Sequence, residues 1–581
     1  EEEDEDEEEE EEEEGEGSSV HMLGGSEFGA RTVGMLDPAM KLLAEAVLLY
    51  PPIAQKLLAG RLWQPLCRQL SMGGYGELSP AGVVSALHLL RALLDHATQS
   101  KAGMFEELLQ EGVVWVSSGA LHSPHLKALE RWPAETLELE EGDNAGGEGG
   151  GWLVGGRLVG GGSSVGGGLV GETLSAVCAV VRVPLPPQEC PRDTLVKWQQ
   201  AIYTEGVING ALLALHTVAE AARNSAADLH VGRPSPPHVP IDLLSRLVLL
   251  SSNFLNQFME LGGLAILRRS QALSPESPVK VIVNALLLVC QAARASEAFY
   301  VSIHRENLYV VLWRLLCHVD GSVRAKACNL IGNLCRHSAF FYKCLVTPLS
   351  ELPPSEDEPQ ASPTPPLHTT VTLLARLVEC CGDGDASTRK FACFAVGNAA
   401  FHGPLLYPHL KGSIPHLVHA LRDGDEKCRA NAAGALGNLV RNSSELCEDL
   451  NAAHVARHLL AVAASGTAAA APASSSPSSR RDPHADHGAA ALALAPATGG
   501  GAANNNNGNE LVGPRRIALF SLGTLAVYAK CRGALERLDG PSLEQGLAAI
   551  ERDTRSRAAP DKQVLEHLVR IRKKLTQPGA P

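Results

Sequence analysis

Three acid–base pairs recur in the second half of the chain. Asp320, Asp385 and Asp425 stand four residues before Arg324, Arg389 and Arg429. An aspartate at a helix start accepts hydrogen bonds from free amides, and its charge meets both the helix dipole and a guanidinium one turn along, together about 1 kcal/mol per repeat. This chemistry is structural. A basic ladder that bound acidic partners would need the arginines to be free of those aspartates. A fourth copy has Leu511 at the aspartate position, so Arg515 is the arginine expected to lack a partner.

Other constellations offer less. Asp383-Gly-Asp385 and Asp423-Gly-Asp425-Glu426 bring two or three carboxylates beside a helix start, whereas a calcium loop needs six or more oxygens at set spacing. They read as inter-repeat loops. His402, His409, His416 and His419 cluster without an H-E-x-x-H pattern, and His484-Ala-Asp-His487 lies in a low-complexity tract. The G-x-S-x-G match around Ser164 sits inside a glycine tract, without the strand and helix that a nucleophile elbow requires, and no G-x-x-x-x-G-K-[ST] occurs. No catalytic residue, metal site or cofactor is expected.

The elements that position these residues are helices. Met40 to Leu49 and Val83 to Leu94 space their apolar residues by three and four, and Ser79-Pro80 is a cap followed by a first-turn proline. Gly412 to Leu421 reads as a helix with Ser413 as its cap and Pro415 in its first turn, and Asp425 caps the next helix through Leu439. The segments from Arg324, Arg389, Arg429 and Arg515 each carry Ala three on and Gly eight on, and lie 65, 40 and 86 residues apart. Removing a 19-residue insert and a 47-residue tract leaves 46, 40 and 39. That is the period of armadillo and HEAT repeats, which bury their faces only by stacking. Ile282 to Tyr300 is a degenerate earlier copy, with the closing tyrosine that Tyr342 and Tyr407 also supply. The fold expected is all-α, a right-handed α-solenoid of armadillo/HEAT-like repeats with disordered low-complexity inserts. Its parts are an acidic disordered tail (1–35), degenerate helical repeats (36–140), a Gly-rich linker (141–172), repeats (173–347), a Pro-rich insert (348–366), armadillo repeats (367–462), an Ala/Ser/Asn-rich insert (463–510) and a last repeat with terminal helices (511–581).

Composition agrees. Aromatic residues are 4% of the chain, and Leu, Ala and Val dominate its 45% hydrophobic share. The formal charge is −15, but Glu1 to Glu16 hold 15 of the 65 acids, so the remainder carries 50 charges of each sign. A neutral body gives no basic footprint for nucleic acid. The 14 cysteines show no C-x-x-C and read as reduced core thiols of an intracellular protein. No run of 18 apolar residues suggests a membrane span, the acidic start is unlike a signal peptide, and the missing initiator Met suggests a fragment or partial gene model.

Asn333, Asn398 and Asn438 follow the repeat glycines. Resemblance to peptide-binding armadillo proteins implies that they line a concave groove and bond a ligand backbone, an amide being both donor and acceptor; the alternative is a bond to a neighbouring repeat. The nuclear-import branch has Trp four residues earlier, where this chain has Asn329, Phe394 and Gly434, which weakens a nuclear-transport reading.

The strings Val323–His337, Arg389–His402, Arg429–Asn442 and Ile517–Gly523 resemble the C-terminal repeats of the Fused-type serine/threonine kinases, over roughly residues 281–536. That family joins a kinase domain to a long repeat region and acts in Hedgehog signalling, plant cytokinesis and construction of the central pair of motile cilia, often with kinesins. The resemblance implies a non-catalytic scaffold with protein partners such as kinesins or axonemal proteins, in the cytoplasm or the cilium. The alternative is the regulatory and docking part of a kinase. His304-Arg-Glu-Asn has Glu306 where the catalytic base belongs, and Asp-Phe-Gly does not occur.

Overall fold

The computed structural model describes residues 36–50, 52–61, 63–71, 80–100, 165–183, 185, 192–227, 238–351, 371–465, 513–536, 542–557 and 560–577. The acidic tail, residues 101–164 with Ser164 among them, the bulk of both inserts and His484–His487 lie outside the described residues.

Every regular element described is a helix; the one β-type pairing is an isolated bridge between Pro348 and Thr372. Ten helices form a spine, each packed on the next: α1 (Leu36–Leu49), α2 (Pro80–Ser100), α3 (Val165–Arg182), α4 (His238–Leu250), α5 (Val279–Ala295), α6 (Gly321–Leu334), α7 (Ala386–Ala399), α8 (Glu426–Asn438), α9 (Pro514–Leu525) and α10 (Lys562–Thr576). Shorter helices such as Leu373–Cys380 and Ile414–Ala420 flank it, so consecutive repeats bury one continuous core. The chain is thus an all-α solenoid.

The spine helices start and stop as their residues dictate. Asp320, Asp385 and Asp425 are the N-caps of α6, α7 and α8, accepting from the amides of Ser322, Thr388 and Cys428. Pro415 sits in the first turn of Ile414–Ala420, but the Ser413 hydroxyl donates backwards to Leu410 O at 2.7 Å and does not cap that helix. α3 begins at Val165, inside the stretch read as a linker, and its buried Leu174, Val177 and Val181 keep helical spacing.

The helices approach closely because small residues face each other. A Cβ on Gly332 would stand 2.5 Å from the Phe394 ring, and one on Gly437 would stand 3.0 Å from the Ser521 backbone. All described cysteines are free thiols, and only Cys317 among them is exposed. No single described helix is long and apolar enough to cross a membrane, though one bent pair, Pro38–Val47 with Pro52–Ala59, passes by length and composition.

Candidate functional site

The repeated polar residues meet at the seams between spine helices. At the N-terminal end of each seam the arginine first closes its own loop: Arg324 Nη1 donates to the carbonyls of His318 and Val319 at 2.8 and 2.9 Å, Arg389 to those of Asp383 and Gly384 at 2.9 and 3.0 Å, and Arg429 to those of Asp423 and Gly424 at 2.7 and 3.1 Å. The other edge of the fork then crosses to the following repeat. Arg324 donates from Nε and Nη2 to both carboxylate oxygens of Asp383 at 2.8 Å, and Arg389 from Nε to Asp423 at 2.7 Å.

This corrects the expected pairing within each repeat. The capping oxygens of Asp320, Asp385 and Asp425 point at free amides of their own helices, so Arg324 and Arg389 find their carboxylates in the next loop. Burial raises the pKa of Asp383, but the Arg324 guanidinium and the Asp385 amide outweigh it and hold the carboxyl below its usual range. Asp423 is held down against burial in the same way by Arg389 and the Asp425 amide.

In mid-seam two of the three amides bridge helices. Asn398 Nδ2 donates to Gly332 O at 2.8 Å and Asn438 Nδ2 to Gly397 O at 2.9 Å, while Asn333 Nδ2 donates to Asn329 O at 2.9 Å. Asn333 and Asn438 are 4% and 6% exposed. Of the two arrangements open from the sequence, Asn398 and Asn438 take the bond to a neighbouring repeat, each reaching a buried carbonyl of the preceding spine helix, whereas Asn333 bonds within α6.

At the C-terminal end the tyrosines close the seam. Tyr300, Tyr342 and Tyr407 donate to the carbonyls of Asn333, Asn398 and Asn438 at 2.6, 3.2 and 2.6 Å, and each hydroxyl accepts from the amide of His337, His402 or Asn442. Burial pushes the phenol of Tyr300 and that of Tyr342 up. The recurrence of these tyrosines was visible in the sequence; their bonding partners were not.

The α8–α9 seam breaks all three rules. Arg429 has no carboxylate partner among the described residues. Thr524 follows the glycine where the other helices have asparagine, and it donates to Phe520 O within α9. Cys447, a buried thiol, takes the tyrosine position. A substitute holds the seam: Ser521 Oγ donates to Ala433 O at 2.7 Å, while Arg515 Nε donates to Ala463 O at 2.9 Å, in the flanking helix Val455–Ala464. Arg515 is also not the unpaired arginine expected, because the helix Leu543–Ser556 brings Asp553 to 2.7 Å from its Nη1.

A model of the armadillo/beta-catenin-like repeat matches residues 411–441. The chain is an armadillo/HEAT-like repeat solenoid. It is 35% identical over 198 residues to "Serine/threonine-protein kinase TIO" of Arabidopsis thaliana, covering 34% of this chain and 13% of that protein. It is 32% identical over 235 residues to "Serine/threonine-protein kinase 36" of Pongo abelii, covering 39% and 16%. This solenoid thus spans only 13% and 16% of the length of those two curated relatives. In fold alone it is similar to an engineered protein of known crystal structure, with a TM-score of 0.56, 12% identity, and coverage of 95% of this chain and 98% of that one. The repeat fold is a non-catalytic class, and no catalytic domain accompanies it among the described residues.

Proposed function

We propose that the chain works as a non-catalytic armadillo-type scaffold that brings other proteins together in microtubule-associated or ciliary assembly, the axonemal central pair included. Kinesins or other axonemal proteins are its partners, and the cytoplasm or the cilium is its place. The observation that carries the reading is the stapled stack itself, whose recurring polar residues lock helix to helix, together with the resemblance of its repeat strings to Fused-type repeat regions. Asn398, Asn438 and Arg515 serve contacts between helices in this reading, Asn333 bonds within its own, and partners dock on surfaces that the staples leave open. Affinity capture on the full chain from ciliated cells, read by mass spectrometry, tests it: kinesins and axonemal proteins are expected above background, and a karyopherin-cargo set would overturn it.

A second reading has its own observation. Both relatives above are named as kinases and the matched part is a small share of each, so a regulatory and docking part of a serine/threonine kinase is the alternative. Phosphotransfer by the chain as given would refute the non-catalytic claim, and a transcript extending upstream with H-R-D and D-F-G motifs would favour the kinase reading.

A further inference from the structure

The acid–base series along the stack ends on a cation. Arg324 and Arg389 each grip an aspartate six residues before the next repeat arginine, Asp383 and Asp423. At the corresponding position before Arg515 stands Asn509, which with Glu510 lies outside the described residues. Arg429 ties its own loop through Nη1, as Arg324 and Arg389 do, but its Nε and Nη2 make no bond among the described residues.

Arg429 opens onto a cleft of about 480 Å³, lined also by Arg515, Arg516, Arg557, Glu426 and Asp561. Arg516 pairs with Asp561 at 2.6 Å, whereas Arg515 and Arg557 share the single carboxylate of Asp553, at 2.7 and 3.0 Å. Arg429 has no carboxylate partner among the described residues. Nη2 of Arg515, shielded from water, lacks an acceptor. Glu426 is exposed at the start of α8, where solvent and salt screen its repulsion. The N-terminus of α9, beginning at Pro514, adds the positive end of its dipole, and Val462 and Pro514 supply apolar wall.

We propose that this cleft binds an acidic peptide of a partner protein, with a glutamate or aspartate carboxylate seated on the Nε–Nη2 edge of Arg429 as Asp383 is seated on Arg324. A planar fork presents two parallel N–H groups to a carboxylate, which favours this ligand over a neutral one. The inference rests on the scaffold reading for the partner being a protein, and it names the chemistry and place of one contact.

The test uses the purified full chain and a fluorescein-labelled octaglutamate peptide, with binding read by anisotropy at low and physiological salt. Wild type binds, and the affinity falls as salt rises. Arg429→Ala weakens binding at least tenfold, Arg429→Lys restores it in part, and Arg422→Ala, on the exposed face of the same repeat, leaves it unchanged. Circular dichroism melts check that each variant is folded. Failure of wild type to bind at millimolar peptide overturns the proposal, as does equal binding by Arg429→Ala. Binding of a phosphoserine peptide with no binding of octaglutamate overturns it too. Because the readout is direct, a negative result leaves the scaffold reading standing on its own capture experiment, and failure of that capture leaves the peptide result intact.

Discussion

Arg324 and Asp383 lie 59 residues apart in the chain and share two hydrogen bonds of 2.8 Å, with side chains only 16% and 10% exposed. The pair joins two repeats across the segment 352–370. Asp383→Ala removes the carboxylate and leaves a part-buried guanidinium without its ion partner, at a cost of about 2 kcal/mol, between the values for exposed and fully buried pairs. A lower urea midpoint for this variant, with its far-ultraviolet circular dichroism unchanged in buffer, is the expected result.

Acid should weaken the same seams. The carboxyls of Asp383, Asp423 and Asp561 are all held below their usual range; burial opposes this in each, and Arg324, Arg389 and Arg516 prevail. A depressed folded pKa contributes stability that is fully present above the unfolded value of about 4 and is lost as pH falls through the folded value. Urea midpoints should therefore hold steady from neutral pH to about 5 and drop below about 4. The double variant Asp383→Asn, Asp423→Asn should start lower and show a shallower acid slope.

Asn438→Ala deletes the donor to Gly397 O at a site 6% exposed, leaving a buried carbonyl short of a bond, at a cost of about 1 to 2 kcal/mol. Asn398→Ala should cost a similar amount through Gly332 O. A thermal melt separates this from a ligand-facing role, which would leave stability unchanged.

Glycine replacements should divide sharply. Gly332→Ala drives a methyl into the Phe394 ring and Gly437→Ala drives one into Ser521, overpacking that costs about 2 kcal/mol or more. At Gly397 the nearest atom to a Cβ is the Ala435 Cα at 3.5 Å, an ordinary contact, so Gly397→Ala should be neutral or stabilising by up to about 1 kcal/mol through helix propensity. Denaturant melts of the three variants check the order.

Local patterns carried much of this architecture. The spacing of Asp320, Asp385 and Asp425 marked the caps correctly, and the apolar periodicity of Met40–Leu49 and Val83–Leu94 matches α1 and α2. The partners of Arg324, Arg389 and Arg515 were misread because each carboxylate stands at least 34 residues away and is brought near only by stacking. Asp383 and Asp423 stand in the sequence only as loop acids, and their role follows from loops lying one above another at the same edge of the stack. Asn398 and Asn438 announced a function by recurring, but recurrence alone does not say whether an amide faces a ligand or a neighbour.

The uneven stapling also has a mechanical side. A stack in which each repeat touches mainly its neighbours carries load in series, so a pull on its ends passes through every seam and the softest one parts first. Between α8 and α9 the charged clamp, the asparagine bridge and the tyrosine latch are all replaced by lesser ties. Of the three seams between α6 and α9, that junction is the one expected to yield first under tension, and a ligand seated on Arg429 would stiffen it.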